Sequence, residues 1–166
     1  MKRATLLLVA LLLSGCGYKP ISHYTKSITG ESISTEVVMT LEDPERSVVV
    51  KDAINEAVLM RFQSRLAPQD RAASHLKVEP VSIVFEPMQR DAQGYIIYYR
   101  TRVTLKSTLQ PRAKAVREYR TTGTYDFPIE PNSALSDALR FESVKNATLK
   151  ALDELIANIA ISKGTS

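Results

Sequence analysis

Apolar and polar positions recur along this chain with two periods, near two and near 3.6 residues, and these divide it into six elements. Ser34 to Leu41 is rich in β-branched residues and predicts a strand. From Val50 the apolar positions are Val50, Ile54, Ala57, Val58, Phe62 and Leu66, in steps mostly of four. Lys51, Asp52, Asn55, Glu56 and Arg65 fall on the other side, so this stretch predicts an amphipathic helix that Pro68 stops. Pro44 suits a first helical position with Asp43 as its cap, and Ser47 is a second candidate cap. His75 to Phe85 alternates with a change of phase: Leu76 and Val78 share one parity, Val81, Ile83 and Phe85 the other. Pro80 sits at the switch and predicts a bulge or an edge position, with the edge favoured for the first half. Glu86 to Gly94 reads as a loop. Tyr95 to Leu109 is the longest strand, apolar on its odd positions and, beyond Tyr98, polar and basic on its even ones. Val116 to Phe127 repeats that pattern. After Pro128 to Pro131, Ser133 or Ser136 caps a helix reaching about Ser162, with Val144, Thr148, Leu152, Leu155 and Ile159 as its buried stripe.

The order β-α-β-β-β-α predicts an α+β fold. Two helices cover one face of a four-stranded, mainly antiparallel sheet, in a two-layer sandwich spanning residues 34–166 as a single domain. The other face is left wet, as an antiparallel sheet allows. It carries Arg100, Arg102, Lys106 and either Arg117 or Arg120, depending on register. Arginine forks grip phosphate or carboxylate at two points, so this face is the candidate contact surface. Tyr95, Tyr98 and Tyr99 interleave with it. Solvation of a strand's outer face is the plainer use of the same charges.

The amino terminus adds a different kind of information. Lys2 and Arg3 precede an apolar run from Leu6 to Leu13, then Ser14-Gly15-Cys16. This is the layout of a secretory signal over residues 1–15, with a run too short to span a bilayer. Leu13-Ser14-Gly15-Cys16 resembles a bacterial lipobox, which implies cleavage before Cys16 and lipid attachment to it. Cys16 is the only cysteine, so the mature chain is expected to hold no internal disulfide and no cysteine metal site. Removing Lys2 and Arg3 lowers the formal charge from +4 to +2, and no nucleic-acid partner is expected. Residues 16–33 read as a lipidated tether and lead-in.

No catalytic motif appears: there is no G-x-S-x-G, Walker A, G-x-G-x-x-G or H-E-x-x-H. His23 and His75 have no second histidine or carboxylate at ligand spacing. No enzyme activity, metal or cofactor is expected. A hydrolase would need a pocket holding His75 and a perturbed carboxylate.

Cys16-Gly17-Tyr18-Lys19-Pro20, Asp52 to Ala57, Gly94 to Arg100, Gly123 to Phe127 and Ser136-Asp137, in this order of elements, resemble the LPS-assembly lipoprotein family (LptE), in its divergent branch. The resemblance implies a non-enzymatic lipoprotein on the periplasmic face of the outer membrane. It would plug a large LPS-assembly β-barrel, help assemble it, and assist delivery of lipopolysaccharide to the outer leaflet. Gly17 agrees, since an aspartate after the cysteine is the retention signal for the inner membrane. The family's basic contact to lipopolysaccharide maps to Arg90. Its lysine before the last helix has no counterpart: Phe127 to Leu139 holds no lysine or arginine, and Arg140 is the first. Expected ligand-binding residues, toward lipopolysaccharide or barrel, are therefore Arg90, Arg100, Arg102, Lys106 and Arg120. The alternative is a periplasm-facing scaffold lipoprotein of another envelope complex.

Overall fold

The computed structural model describes residues 28–38, 44–112, 114–130 and 133–162. The elements are β1 (Ser32–Val37), α1 (Pro44–Met60), β2 (Arg65–Leu66), β3 (Ser74–Arg90), β4 (Ile96–Pro111), β5 (Arg117–Pro128) and α2 (Asp137–Ile161). The α+β class and the two layers are as expected. The sheet differs: it has five strands in the order β2-β1-β3-β4-β5, and it is mixed. β1 runs parallel to both β2 and β3, while β3, β4 and β5 form an antiparallel meander. A parallel β1–β3 pair needs a crossover, and α1 supplies it. β2 is two residues long and so has no period to read.

The phase change in β3 is a bulge. Pro80 faces Leu105 and Ser82 faces Thr104, which leaves Val81 as the extra residue. Leu76 and Val78 point into the core before it; Ile83 and Phe85 take over after it. The favoured edge position for the first half is corrected. β1 covers Ser74 to Val78, and the second half is the part without a neighbour on that side among the described residues. β3 also runs on to Arg90, so the predicted loop shrinks to residues 91–95. Asp91 organises it: its Oδ1 accepts from Gln93 N and Tyr95 N, and Gly94 adopts φ +90°.

Helix α1 ends at Met60, well before Pro68. Phe62 N–H donates to Ala57 O at 3.0 Å, and Gln63 turns the chain at φ 52°. Phe62 is still buried, but Leu66 belongs to β2 and is exposed. Pro44 opens the helix and Ser47 lies inside it; Asp43 lies outside the described residues. Ser136 caps α2 and accepts from Leu139 N. All five stripe residues of α2 are buried. They close, with Val50, Ile54 and Val58 of α1, over Val103, Leu105 and Leu109 on the odd face of the sheet. Ile28 and Thr29, ahead of β1, are buried as well. Lys145–Glu56 and Arg61–Asp153 ion pairs join the two helices side by side.

Candidate functional site

The register settles which basic residues share the outer face. On β4 the even positions Arg100, Arg102 and Lys106 face outward, and on β5 Arg120 joins them opposite Lys106. Arg117 has the other parity: it donates to Ser162 Oγ at 2.7 Å, at the C-terminal end of α2. There its charge suits the helix dipole.

The same register brings acids onto that face. Arg100 sits between Glu86 of β3 and Asp126 of β5. Its Nε and Nη2 donate to the two oxygens of Asp126 at 2.7 and 2.6 Å. Arg102 grips both oxygens of Glu86 from the diagonal position, at 3.1 and 3.0 Å. Lys106 reaches Glu118 at 3.4 Å, and Lys77 reaches Glu36 at 3.0 Å. The hydrogen bonds from Arg100 hold the Asp126 carboxyl below its usual range, against the opposing effect of burial. Those from Arg102 do the same for Glu86. The face is therefore a mosaic of alternating charge rather than a basic sheet. Thr104 and Thr122, whose hydroxyls lie 3.3 Å apart, fill its centre.

Among the described residues Arg120 has no ion-pair partner, and it lies directly opposite the like-charged Lys106. Such a juxtaposition is mildly unfavourable until an anion arrives. Arg90 lies at the far end of β3, opposite Ile96, and its guanidinium donates to Gly94 O at 2.9 Å. It is separated from the Arg100–Asp126 pair by about 14 Å of strand. Four of the five expected residues thus share one face as two pairs, Arg100 with Arg102 and Lys106 with Arg120, on either side of Thr104 and Thr122, and Arg90 lies at the hairpin.

A groove of ≈ 610 Å³ opens beside that hairpin, on the helix side. Phe85, Tyr95, Ile96, Tyr99, Ile129 and Leu135 line it, together with Arg140. The Arg140 guanidinium stands 5.6 Å over the Phe85 ring, and its Nε donates to Leu135 O. Tyr99 stacks on Phe127, which stacks on Tyr125. Of the three interleaved tyrosines, Tyr95 and Tyr98 are exposed and Tyr99 is half-buried. The sequence did not single out Arg140 as a groove residue. Its position as the first base after Phe127 was the available signal.

No family model matches this chain, and no curated protein matches it. Solved structures do. A Caulobacter crescentus protein described as a lipoprotein superposes with a TM-score of 0.55 at 12% identity, over 89% of this chain and 100% of that one. The rare lipoprotein B of Shewanella oneidensis gives 0.50 at 16% identity, over 81% and 97%. A protein of Xanthomonas campestris gives 0.51 at 10% identity, over 81% and 86%. At these identities the likeness is one of fold.

Proposed function

We propose that this protein is a lipoprotein anchored through Cys16 at the periplasmic face of the outer membrane. There it plugs and helps assemble an LPS-assembly β-barrel and assists lipopolysaccharide delivery to the outer leaflet. The observation that carries the reading is the fold shared with rare lipoprotein B across 97% of that chain, in a sequence whose start resembles a lipobox. The outer sheet face supports it. A face neutralised by its own ion pairs suits a wet, polar lumen, where many short-range contacts form without a net field. Arg100, Arg102 and Lys106 serve there as paired contacts. Arg120 and Arg90 are the cations left to meet a phosphate, and Arg140 lines the groove beside the Arg90 hairpin.

Purification of the tagged full-length protein from membranes in mild detergent tests this. The expected result is co-isolation of a large outer-membrane barrel, lost together with membrane attachment in Cys16→Ser. A monomer that leaves the membrane alone overturns the barrel reading. An intact permeability barrier after depletion points instead to a scaffold role in another envelope complex.

A further inference from the structure

Residues that look unrelated along the chain meet at the open edge of β1. Ser34 and Glu36 lie two positions apart on one face of β1, and β3 places His75 directly beside Ser34. Ser34 Oγ is 2.8 Å from His75 Nδ1, and His75 Nε2 is 3.1 Å from Glu36 Oε2. Lys77 Nζ holds the other Glu36 oxygen at 3.0 Å. The hydrogen bonds from Lys77 and His75 keep the Glu36 carboxyl below its usual range.

The order is hydroxyl, imidazole, carboxylate. With the proton on Nε2, the ring donates to Glu36 and leaves Nδ1 to accept from Ser34. That is the connectivity of an activated nucleophile, its base and the group that orients the base. The two ring nitrogens have exchanged places relative to the serine-protease arrangement. The chemistry tolerates this, because either nitrogen can accept while the other donates.

The chain also builds a space over these groups. Arg65 N–H donates to Glu31 O and Ala67 N–H to Ile33 O at 3.1 Å, and Ala67 is the last donor of this ladder among the described residues. Beyond that bond a cavity of ≈ 550 Å³ opens along β1. Ser34, His75 and Glu36 line it, with the amides of Asn55 and Gln69. Asn55 Oδ1 accepts from Thr35 Oγ1 at 2.9 Å, and Thr35 has the opposite parity to Ser34, so Asn55 reaches the cavity from the helix side of β1. Leu66, Ala67 and Pro68 give it one short apolar side.

We propose that Ser34, His75 and Glu36 form a hydrolytic relay for carboxylic esters with short acyl groups. Ser34 Oγ attacks the carbonyl carbon as its proton passes to His75 Nδ1. The negative charge on the former carbonyl oxygen is met by the Gln69 amide and by water at the open side of the cavity. Collapse breaks the ester C–O bond, and the alcohol leaves with the proton from Nδ1. Water entering from the open side then gives a proton to Nδ1 and attacks the acyl carbon. The carboxylic acid departs, and Ser34 Oγ recovers the proton. Glu36 stays ionised and holds the ring throughout. Short acyl groups are specified because the apolar lining is three residues long.

The test uses the folded full-length protein, a fluorophosphonate probe and p-nitrophenyl acetate. One label is expected, on Ser34 by peptide mass, and it should vanish with ester turnover in Ser34→Ala. His75→Gln should slow labelling of an intact Ser34 by about 100-fold or more. Glu36→Gln should slow it less, with the circular-dichroism spectrum unchanged. Absence of labelling in the wild-type protein overturns the proposal. So does labelling of His75→Gln at the wild-type rate, a readout that stands even where Ser34→Ala loses the fold.

Discussion

Gly123 shows how much one side chain, or its absence, decides here. A Cβ built on it would stand 1.9 Å from Ala147 O and 2.4 Å from Ala151 N, both backbone atoms of α2. The helix rides on β5 at that point, and Ala147 and Ala151 are the small residues that let it. Gly123→Ala is therefore expected to destabilise the protein by about 2 kcal/mol or more. The check is a lower urea midpoint with an unchanged slope. An equal midpoint would mean that α2 does not approach β5 so closely. At the same scale, Arg100 and Arg102 look like free cations in the sequence and are not. Their carboxylates lie 26 and 16 residues away and arrive only through strand pairing.

Among the elements, α2 is the one whose limits are best defined by its own residues. Ser136 is extended, at φ −69° and ψ 154°, and accepts from Leu139 N, while Asp137 puts an acid in the first turn. Ser136→Ala should cost about 1 kcal/mol, seen as a lower midpoint in equilibrium unfolding. No change in midpoint would assign the cap elsewhere. β3 makes the complementary point. Its apolar residues change parity at Pro80, and the bulge at Val81 lets both halves face the same core. The change of phase was legible because alternation has period two; that a bulge and not an edge resolves it was decided by the pairing of β1 with Ser74 to Val78. The end of α1 was not legible. Phe62 and Leu66 continue the helical spacing, yet the turn at Gln63 carries the chain into β2.

For the whole molecule, the ion pairs of the outer face predict how stability responds to acid. The Asp126 and Glu86 carboxyls are both held below their usual range in the folded state, chiefly by hydrogen bonds from Arg100 and Arg102. Groups lowered in this way contribute stability above the unfolded pKa values, near ~4, and lose it as pH falls through the folded ones. The urea midpoint should therefore drop below ~pH 4, and the drop should be shallower in Asp126→Asn. A midpoint that rises on acidification would remove the pairs from any role in stability. The same pairs fix the character of the surface. Five bases that suggested a basic patch become a largely neutral lattice, with Arg120 and Arg90 outside its ion pairs.

Sequence by itself determined the α+β class, the two helices, the meander of three long strands and the change of phase at Pro80. Periodicity carries these, because each element must bury one face whatever its neighbours are. It also marked Cys16 and, on the outer face, Arg100, Arg102, Lys106 and Arg120, though not Lys77. Tertiary structure alone decided the parallel placement of β1, the two-residue β2, the pairing of each arginine and the meeting of Ser34, His75 and Glu36. These depend on strand order and register, which join residues up to 41 positions apart and leave no periodic trace in the chain.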